Sequence, residues 1–212
     1  MTHTITAFPN GKWKQNCYIV SDDDTGQALL IDPGSQAQEI QDLISLRAHT
    51  PVAILNTHAH YDHIGAVAAL MAQYAIPFYL HRGDDKLLKQ ANLYKILFES
   101  KAPVTIPQAT HDLSQLAVPA QIGGFKVSVL FTPGHTQGST CLQIGADLFS
   151  GDTLLPGGPG RTDLPGGDKK MLTASVNSLR NLPGTITVRP GHGRPFALAS
   201  LWEKLSRDGA TT

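Results

Sequence analysis

A layered α/β sandwich is the fold class this chain predicts, and three observations carry it. Apolar strand-like runs alternate with helically spaced segments, and hairpins are mixed among them, which argues against an all-parallel doubly wound sheet. Several apolar runs stop at short turns rich in glycine, histidine and aspartate, the kind of strand end where open α/β proteins place their chemistry. A length of 212 residues without a polar, low-complexity linker suits one domain over 1–212.

The first third reads as hairpins. Asn16-Cys17-Tyr18-Ile19-Val20 and Ala28-Leu29-Leu30-Ile31-Asp32 flank the turn-rich Asp23-Asp24-Thr25-Gly26, and Pro33-Gly34 ends the second strand. Ile40, Leu43 and Ile44 keep helical spacing over 36–48. A strand over 52–57 runs into a ligand-rich turn, followed by a helix over 64–74, a short strand over 77–80 and a helix over 84–99. In the second half the pattern predicts strands over 126–131, 139–144 and 148–150. A helix over 171–182, a strand over 185–188 and a closing helix over 196–207 follow.

Composition narrows the function. Lysine plus arginine equals aspartate plus glutamate, 17 each, so no basic excess is available for nucleic acid. Charged residues make up 16% of the chain, which fits a compact enzyme rather than a disordered chain. No apolar run reaches membrane-spanning length, and Met1-Thr2-His3-Thr4-Ile5-Thr6 lacks the parts of a signal peptide, so a cytoplasmic location is the expectation. Cys17 and Cys141 stand alone in apolar segments, without CxxC spacing, and read as buried thiols.

The chemistry concentrates in His58-Ala59-His60-Tyr61-Asp62-His63, four potential metal ligands within one strand-to-helix turn. His58 and His60, two apart in an extended segment, project to one side and can share an ion. Asp62 and His63 come after the turn begins and can face a second ion. Three further strands end in single ligands, His135 in Thr132-Pro133-Gly134-His135, Asp152 in Gly151-Asp152-Thr153 and His192 in Gly191-His192-Gly193. Seven ligands exceed one tetrahedral ion and suit two if a carboxylate bridges. Asp152 is the natural bridge. His58, His60, His135 and Asp152 then serve the first ion, and Asp62, His63, His192 and Asp152 the second. Imidazole with carboxylate suits divalent zinc first, with iron or manganese as alternatives. Asp32 follows an apolar strand and reads either as an outer acceptor behind the ligand turn or as a simple Asp-Pro-Gly turn. His3, His49, His81 and His111 lack such settings and read as surface or structural.

These motifs together resemble the metallo-β-lactamase superfamily, and the order and spacing of its residues run from Asn16 to His192. The resemblance implies a four-layer αβ/βα sandwich with the metal site along one edge. Asn16-Cys17-Tyr18, Ile31-Asp32-Pro33-Gly34, Gly151-Asp152-Thr153-Leu154 and Gly160-Arg161-Thr162-Asp163 are similar to the glyoxalase II branch, the hydroxyacylglutathione hydrolases, and especially to its short bacterial members. Full-length enzymes of that branch carry a C-terminal helical glutathione-binding domain, for which the twenty residues after His192 leave room for one helix only. They also carry a lysine and a tyrosine after the bridging aspartate, where this chain has Arg161 and Asp163.

The resemblance implies a hydrolase that cleaves a small thioester, of S-2-hydroxyacylglutathione (S-lactoylglutathione) type, through a metal-bridging hydroxide. Asp62 then orients the hydroxide as well as binding metal. Arg161 holds a carboxylate of the thiol carrier or is simply a surface arginine. The Gly160–Asp163 run also occurs in persulfide dioxygenases, which use a single iron, so oxidation of glutathione persulfide is the competing expectation. A lactonase or other ester hydrolase is a third. The 157–168 loop and the 84–99 helix are the expected pocket walls.

Overall fold

The structure, a computed structural model, describes residues 3–99 and 102–207. Met1 and Thr2 of the amino-terminal segment lie outside them. The chain builds two six-stranded sheets, face to face. The first holds β1 (His3–Asn10), β2 (Gln15–Asp22) and β3 (Gln27–Ile31), then α1 (Ala37–Leu46) and β4 (Thr50–Leu55). Two short helices, α2 (Tyr61–Ile64) and α3 (Val67–Tyr74), lead to β5 (Phe78–Leu80), and α4 (Asp85–Glu99) leads to β6 (His111–Asp112). The order is β1-β2-β3-β4-β5-β6, antiparallel through β3 and parallel from β3 to β6.

The second sheet holds β7 (Ala120–Ile122), β8 (Phe125–Phe131), β9 (Thr140–Ile144) and β10 (Asp147–Gly151). A small hairpin, β11 (Leu154–Leu155) with β12 (Gly158–Pro159), and helix α5 (Lys169–Ser178) precede β13 (Thr187–Pro190). β14 (Phe196–Ala197) and α6 (Leu198–Arg207) close the chain. The order is β14-β13-β10-β9-β8-β7, with β10 and β13 parallel and the other pairs antiparallel.

Period-two alternation decides the layers. On β2, Tyr18 and Val20 face the second sheet and meet Phe125, Val127, Leu142 and Phe149. Cys17 and Ile19 on the same strand face the other way, toward Ile40 and Ile44 of α1, Val67 and Leu70 of α3 and Leu88 of α4. The outer face of the second sheet, with Cys141, Leu148 and Val188, is covered by Leu172 and Val176 of α5 and Leu201 and Leu205 of α6. Three apolar layers thus separate four layers of structure, and the predicted αβ/βα sandwich is what forms. Among the described residues no helix is long and apolar enough to cross a membrane.

The differences from expectation are local. The helix expected over 64–74 is broken at Gly65 and Ala66 into α2 and α3, so that Asp62 and His63 start a helix of their own. The Ala66 amide is bound to the Pro33 carbonyl at 3.0 Å instead of to the helix, and a Cβ on Gly65 would collide with the Gly34 carbonyl, so the packed turn takes over at the break. The strand expected over 185–188 forms as Thr187–Pro190 instead, because the Ile186 amide is already bound to the Pro183 carbonyl in a turn. The helix expected over 171–182 is α5 followed by a short 3-10 turn, Leu179–Asn181.

Candidate metal centre

Parallel strands bring their C-terminal ends to one edge. In the first sheet Asp32 follows β3, the His58–His63 turn follows β4 and Asp84 follows β5. In the second, His135, Asp152 and His192 follow β8, β10 and β13, three strands that run the same way. Backbone bonds lace the two edges together, Thr140 N to Thr57 O at 2.9 Å and Asn16 N to Gly191 O at 2.7 Å.

His58, His60 and His135 form a first trio. Nε2 of His58 lies 3.0 Å from Nδ1 of His60, which lies 3.0 Å from Nε2 of His135. Ligands on a tetrahedral ion, with bonds of about 2.0–2.1 Å, stand roughly 3.3 Å apart, close to this spacing. Asp62, His63 and His192 form a second trio whose ligand atoms lie within 4.8 Å of one another. Asp152 stands between them. Its Oδ2 is 3.6 Å from His135 Nε2 and 3.7 Å from His192 Nε2, and its Oδ1 is 3.7 Å from His63 Nε2. Nε2 of His63 and Oδ1 of Asp152 are buried and have no hydrogen-bond partner. Leaving such an atom unpaired costs about 1–3 kcal/mol, and a cation between the two satisfies both. The donor set therefore fits metal ions, and its chemistry admits zinc or iron.

The far side of each ring is tied down. His135 Nδ1 donates to the Arg161 carbonyl at 2.8 Å and His192 Nδ1 to the Trp13 carbonyl at 3.1 Å, which leaves each Nε2 bare toward the centre. His63 Nδ1 meets Asp32 Oδ2 at 3.1 Å, and His58 Nδ1 meets Thr57 Oγ1 at 3.1 Å. Asp32 also accepts from the Thr57 amide at 2.7 Å and the Thr57 hydroxyl at 2.6 Å. Its backbone is held left-handed, with φ of 50°, a strained state for aspartate that aims the carboxylate at the turn. Of its two readings, the outer acceptor is the one the contacts support. Gly191 is required by proximity, since a Cβ there would strike the Asp152 carboxylate and the His63 ring.

Electrostatics divide the trios. Burial, with neighbouring imidazoles, pulls His58 well below the ordinary histidine value, and burial with His135 pulls His60 to about 3. Burial also opposes charge on His63, but Asp62, Asp32 and Asp152 outweigh it and raise this ring to about 9. His192 is raised in the same way, against its burial, by Asp62 and Asp152. Asp62 resists the effect of burial because His63 and His192 hold it well below the usual carboxylate range.

All seven expected ligands and Asp32 are brought together. Arg161 reaches the pocket wall, but its guanidinium is closed on Asp163 at 2.7 and 2.6 Å. The 84–99 helix and the 157–168 loop both line the pocket, through Leu87, Tyr94 and Phe98 and through Arg161, Leu164 and Pro165. His3 pairs with Asp147, His81 caps a 3-10 turn, and His111 stacks on Tyr79, all away from the trios. Cys17 and Cys141 are buried free thiols, both pushed up by burial, Cys141 to about 11.

Two contributors escaped the sequence reading. Asp84 is buried, and burial raises it against the bonds it accepts. Its Oδ2 accepts from the Ala59 amide at 2.9 Å and the Thr136 hydroxyl at 2.8 Å, and its Oδ1 from the Gly138 amide at 2.7 Å. One carboxylate thus clamps the turn of His58 and His60 to the turn of His135. It follows strand β5 as the other site acids follow theirs, and that position was its signal. Trp13 had none: it sits in the β1–β2 turn, supports His192 through its carbonyl and donates its indole N–H to the Tyr61 hydroxyl at 2.7 Å.

Comparison with known proteins agrees with this geometry. The model of the metallo-beta-lactamase superfamily matches residues 10–192. A probable metallo-hydrolase, YqgX of Bacillus subtilis, is 40% identical over 189 residues, 88% of each chain. The hydroxyacylglutathione hydrolase GloC of Haemophilus influenzae is 32% identical over 202 residues, 89% of this chain and 90% of that one. Among solved structures, BLEG-1 B3 metallo-beta-lactamase superimposes with a TM-score of 0.88 at 36% identity, covering 94% of this chain and 97% of the other. TTHA1623 in a di-iron-bound form gives 0.81 at 36% identity, covering 92% and 95%. With a family model that spans most of its length and relatives aligned nearly end to end, this chain belongs to the metallo-beta-lactamase superfamily.

Proposed function

We propose that the protein is a binuclear metal-dependent thioester hydrolase of the glyoxalase II type, with S-2-hydroxyacylglutathione as its reference substrate. The observation that carries the reading is Asp152, one carboxylate facing both trios at the floor of a single open pocket. His58, His60, His135 and Asp152 would hold one ion, and Asp62, His63, His192 and Asp152 the other. Bound there, divalent ions supply a water acidified to a pKa of about 7 and a Lewis acid for the carbonyl oxygen.

The chain's own groups do the rest. Asp62, whose carboxylate faces His63 and His192, would accept the hydrogen of the attacking water and orient it. Water adds to the thioester carbonyl, the C–S bond breaks, and its electron pair leaves on sulfur, which takes up the proton. A thiol with a pKa of roughly 8.5 leaves without a dedicated acid. The Asp32 and Thr57 contacts, with the Arg161 and Trp13 carbonyls, keep the rings aimed throughout. The likeness to a relative named hydroxyacylglutathione hydrolase supports thioester chemistry, and the di-iron form of a similar structure supports iron as readily as zinc.

The test is to measure zinc, iron and manganese per chain, then assay S-lactoylglutathione hydrolysis beside oxygen uptake with glutathione persulfide. Two metals with thioester cleavage are expected, both lost or reduced in His58→Ala. One iron with oxygen consumption and no hydrolysis would overturn the proposal.

A further inference from the structure

The pocket above the ligands has a volume of about 300 Å³, and its walls are apolar. Trp13 comes from the β1–β2 turn, Leu87, Tyr94 and Phe98 from α4, Leu155 from β11 and Leu164 from the loop before α5. Trp13 is 47% exposed and Phe98 41% exposed, so two aromatic side chains present open surface to this space. Exposed aromatic surface beside a polar floor marks a place where a ligand's apolar part comes to rest.

Outside the trios the lining offers few polar groups, chiefly the Tyr61 and Tyr94 hydroxyls and Arg161. Among the described lining residues Arg161 is the one cation outside the trios, and its fork is taken by Asp163. The indole N–H of Trp13 is given to Tyr61. Glutathione carries two carboxylates and an ammonium, and these mostly apolar walls offer too few polar groups to replace the water that all three would lose. The tripeptide is therefore left toward solvent, and the group that fills the cavity is the one on the carbonyl side.

Resting on the thioester reading above, we infer that the pocket selects substrates by an apolar, preferably aromatic, acyl side chain, so the favoured substrate is an aryl- or alkyl-bearing acyl thioester. Selection of this kind grows with buried carbon. Each buried methylene, at about 0.8 kcal/mol, is worth roughly fourfold in kcat/KM.

The test holds the carrier fixed and varies the acyl group on the metal-loaded protein. The kcat/KM of S-mandeloylglutathione over S-lactoylglutathione, divided by the same ratio for alkaline hydrolysis, is expected at about thirtyfold or more, the order that partial burial of a phenyl in place of a methyl gives. Phe98→Ala and Leu164→Ala should each lower that ratio by about tenfold. A corrected wild-type ratio near one, or a ratio unmoved in both variants, overturns the inference. If neither thioester is cleaved, the hydrolase reading fails, and binding decides the pocket separately. Mandelate should then change the Trp13 fluorescence at a concentration at least about tenfold lower than lactate, with the response lost in Trp13→Phe. The other tryptophan, Trp202, lies under Arg180 in another part of the fold and gives a constant background. Equal responses to the two acids, or none, overturn the apolar pocket whatever the reaction.

Discussion

The two trios share one carboxylate and are electrostatic opposites. His58, His60 and His135 present bare ring nitrogens to one another, and burial keeps His58 and His60 neutral far into acid. His63 in the second trio is crowded by Asp62, Asp32 and Asp152 and carries a proton up to about pH 9. A cation entering the first trio displaces no proton from His58 or His60. A cation entering the second must displace the His63 proton, so its affinity depends on pH. Similar donor sets side by side at one edge of the sandwich thus differ in what they give up on loading, and the difference comes from where the carboxylates stand.

The largest way to break this comparison is to remove the group that joins the trios. Asp152→Ala should lower turnover by a factor on the order of 10³ or more, because the acidified water is lost. Metal analysis should find clearly fewer than two ions per chain. Full loading in this variant would mean that Asp152 is not shared.

The next test separates the trios by pH. Below about pH 9 the second ion should bind more weakly as the pH falls, because His63 and His192 are both raised by their carboxylates, while His58 and His60, pulled down by burial, add no such dependence to the first. Asp32→Asn removes a contact that helps hold the proton on His63 and should flatten the slope of the second ion alone. Competitive chelator titrations across pH read both.

In the metal-free protein the same groups pull stability in opposite directions. The His63 pKa is raised above its unfolded value of 6.5, so its contribution is complete below that pH and is lost as pH rises through about 9. The His60 pKa is depressed, so its contribution is complete above 6.5 and is lost as pH falls toward about 3. Urea unfolding of the metal-free chain should therefore give a maximum near neutrality, and loading should move it upward.

Asp84→Asn is the smallest lever. The carboxamide keeps the shape but replaces one acceptor oxygen with a donor, against hydrogen bonds from Ala59, Thr136 and Gly138. Affinity at the first trio should fall about tenfold, as outer-partner changes commonly do, and stability by ~1–3 kcal/mol. The second trio should be unaffected, which a two-ion titration would resolve.

Much of this was legible in the chain because strand ends carry their own signal. The apolar run before His58 and the glycines beside His135, Asp152 and His192 mark all seven ligands as strand-end residues. The half-buried helices α1, α4 and α5 show themselves by spacing. What escaped was short or depended on distant partners. β6, β12 and β14 have two residues each, too few for a period to appear. β1 is an edge strand ending near Pro9, and its half-exposed alternation went unread. At the break between α2 and α3 the Ala66 amide bonds to Pro33 of another turn, a partner no local pattern contains. Asp84 stands where helical spacing begins, which masks the three-residue strand β5 that ends just before it.

The proposed centre would hold two ions whose loading differs in proton release. Calorimetric titration of the metal-free protein with zinc near neutral pH, in two buffers of different ionisation enthalpy, tests it most directly. The account predicts two ions per chain, with the second binding event releasing at least one more proton than the first. A single ion per chain, or equal proton release in both events, would contradict it.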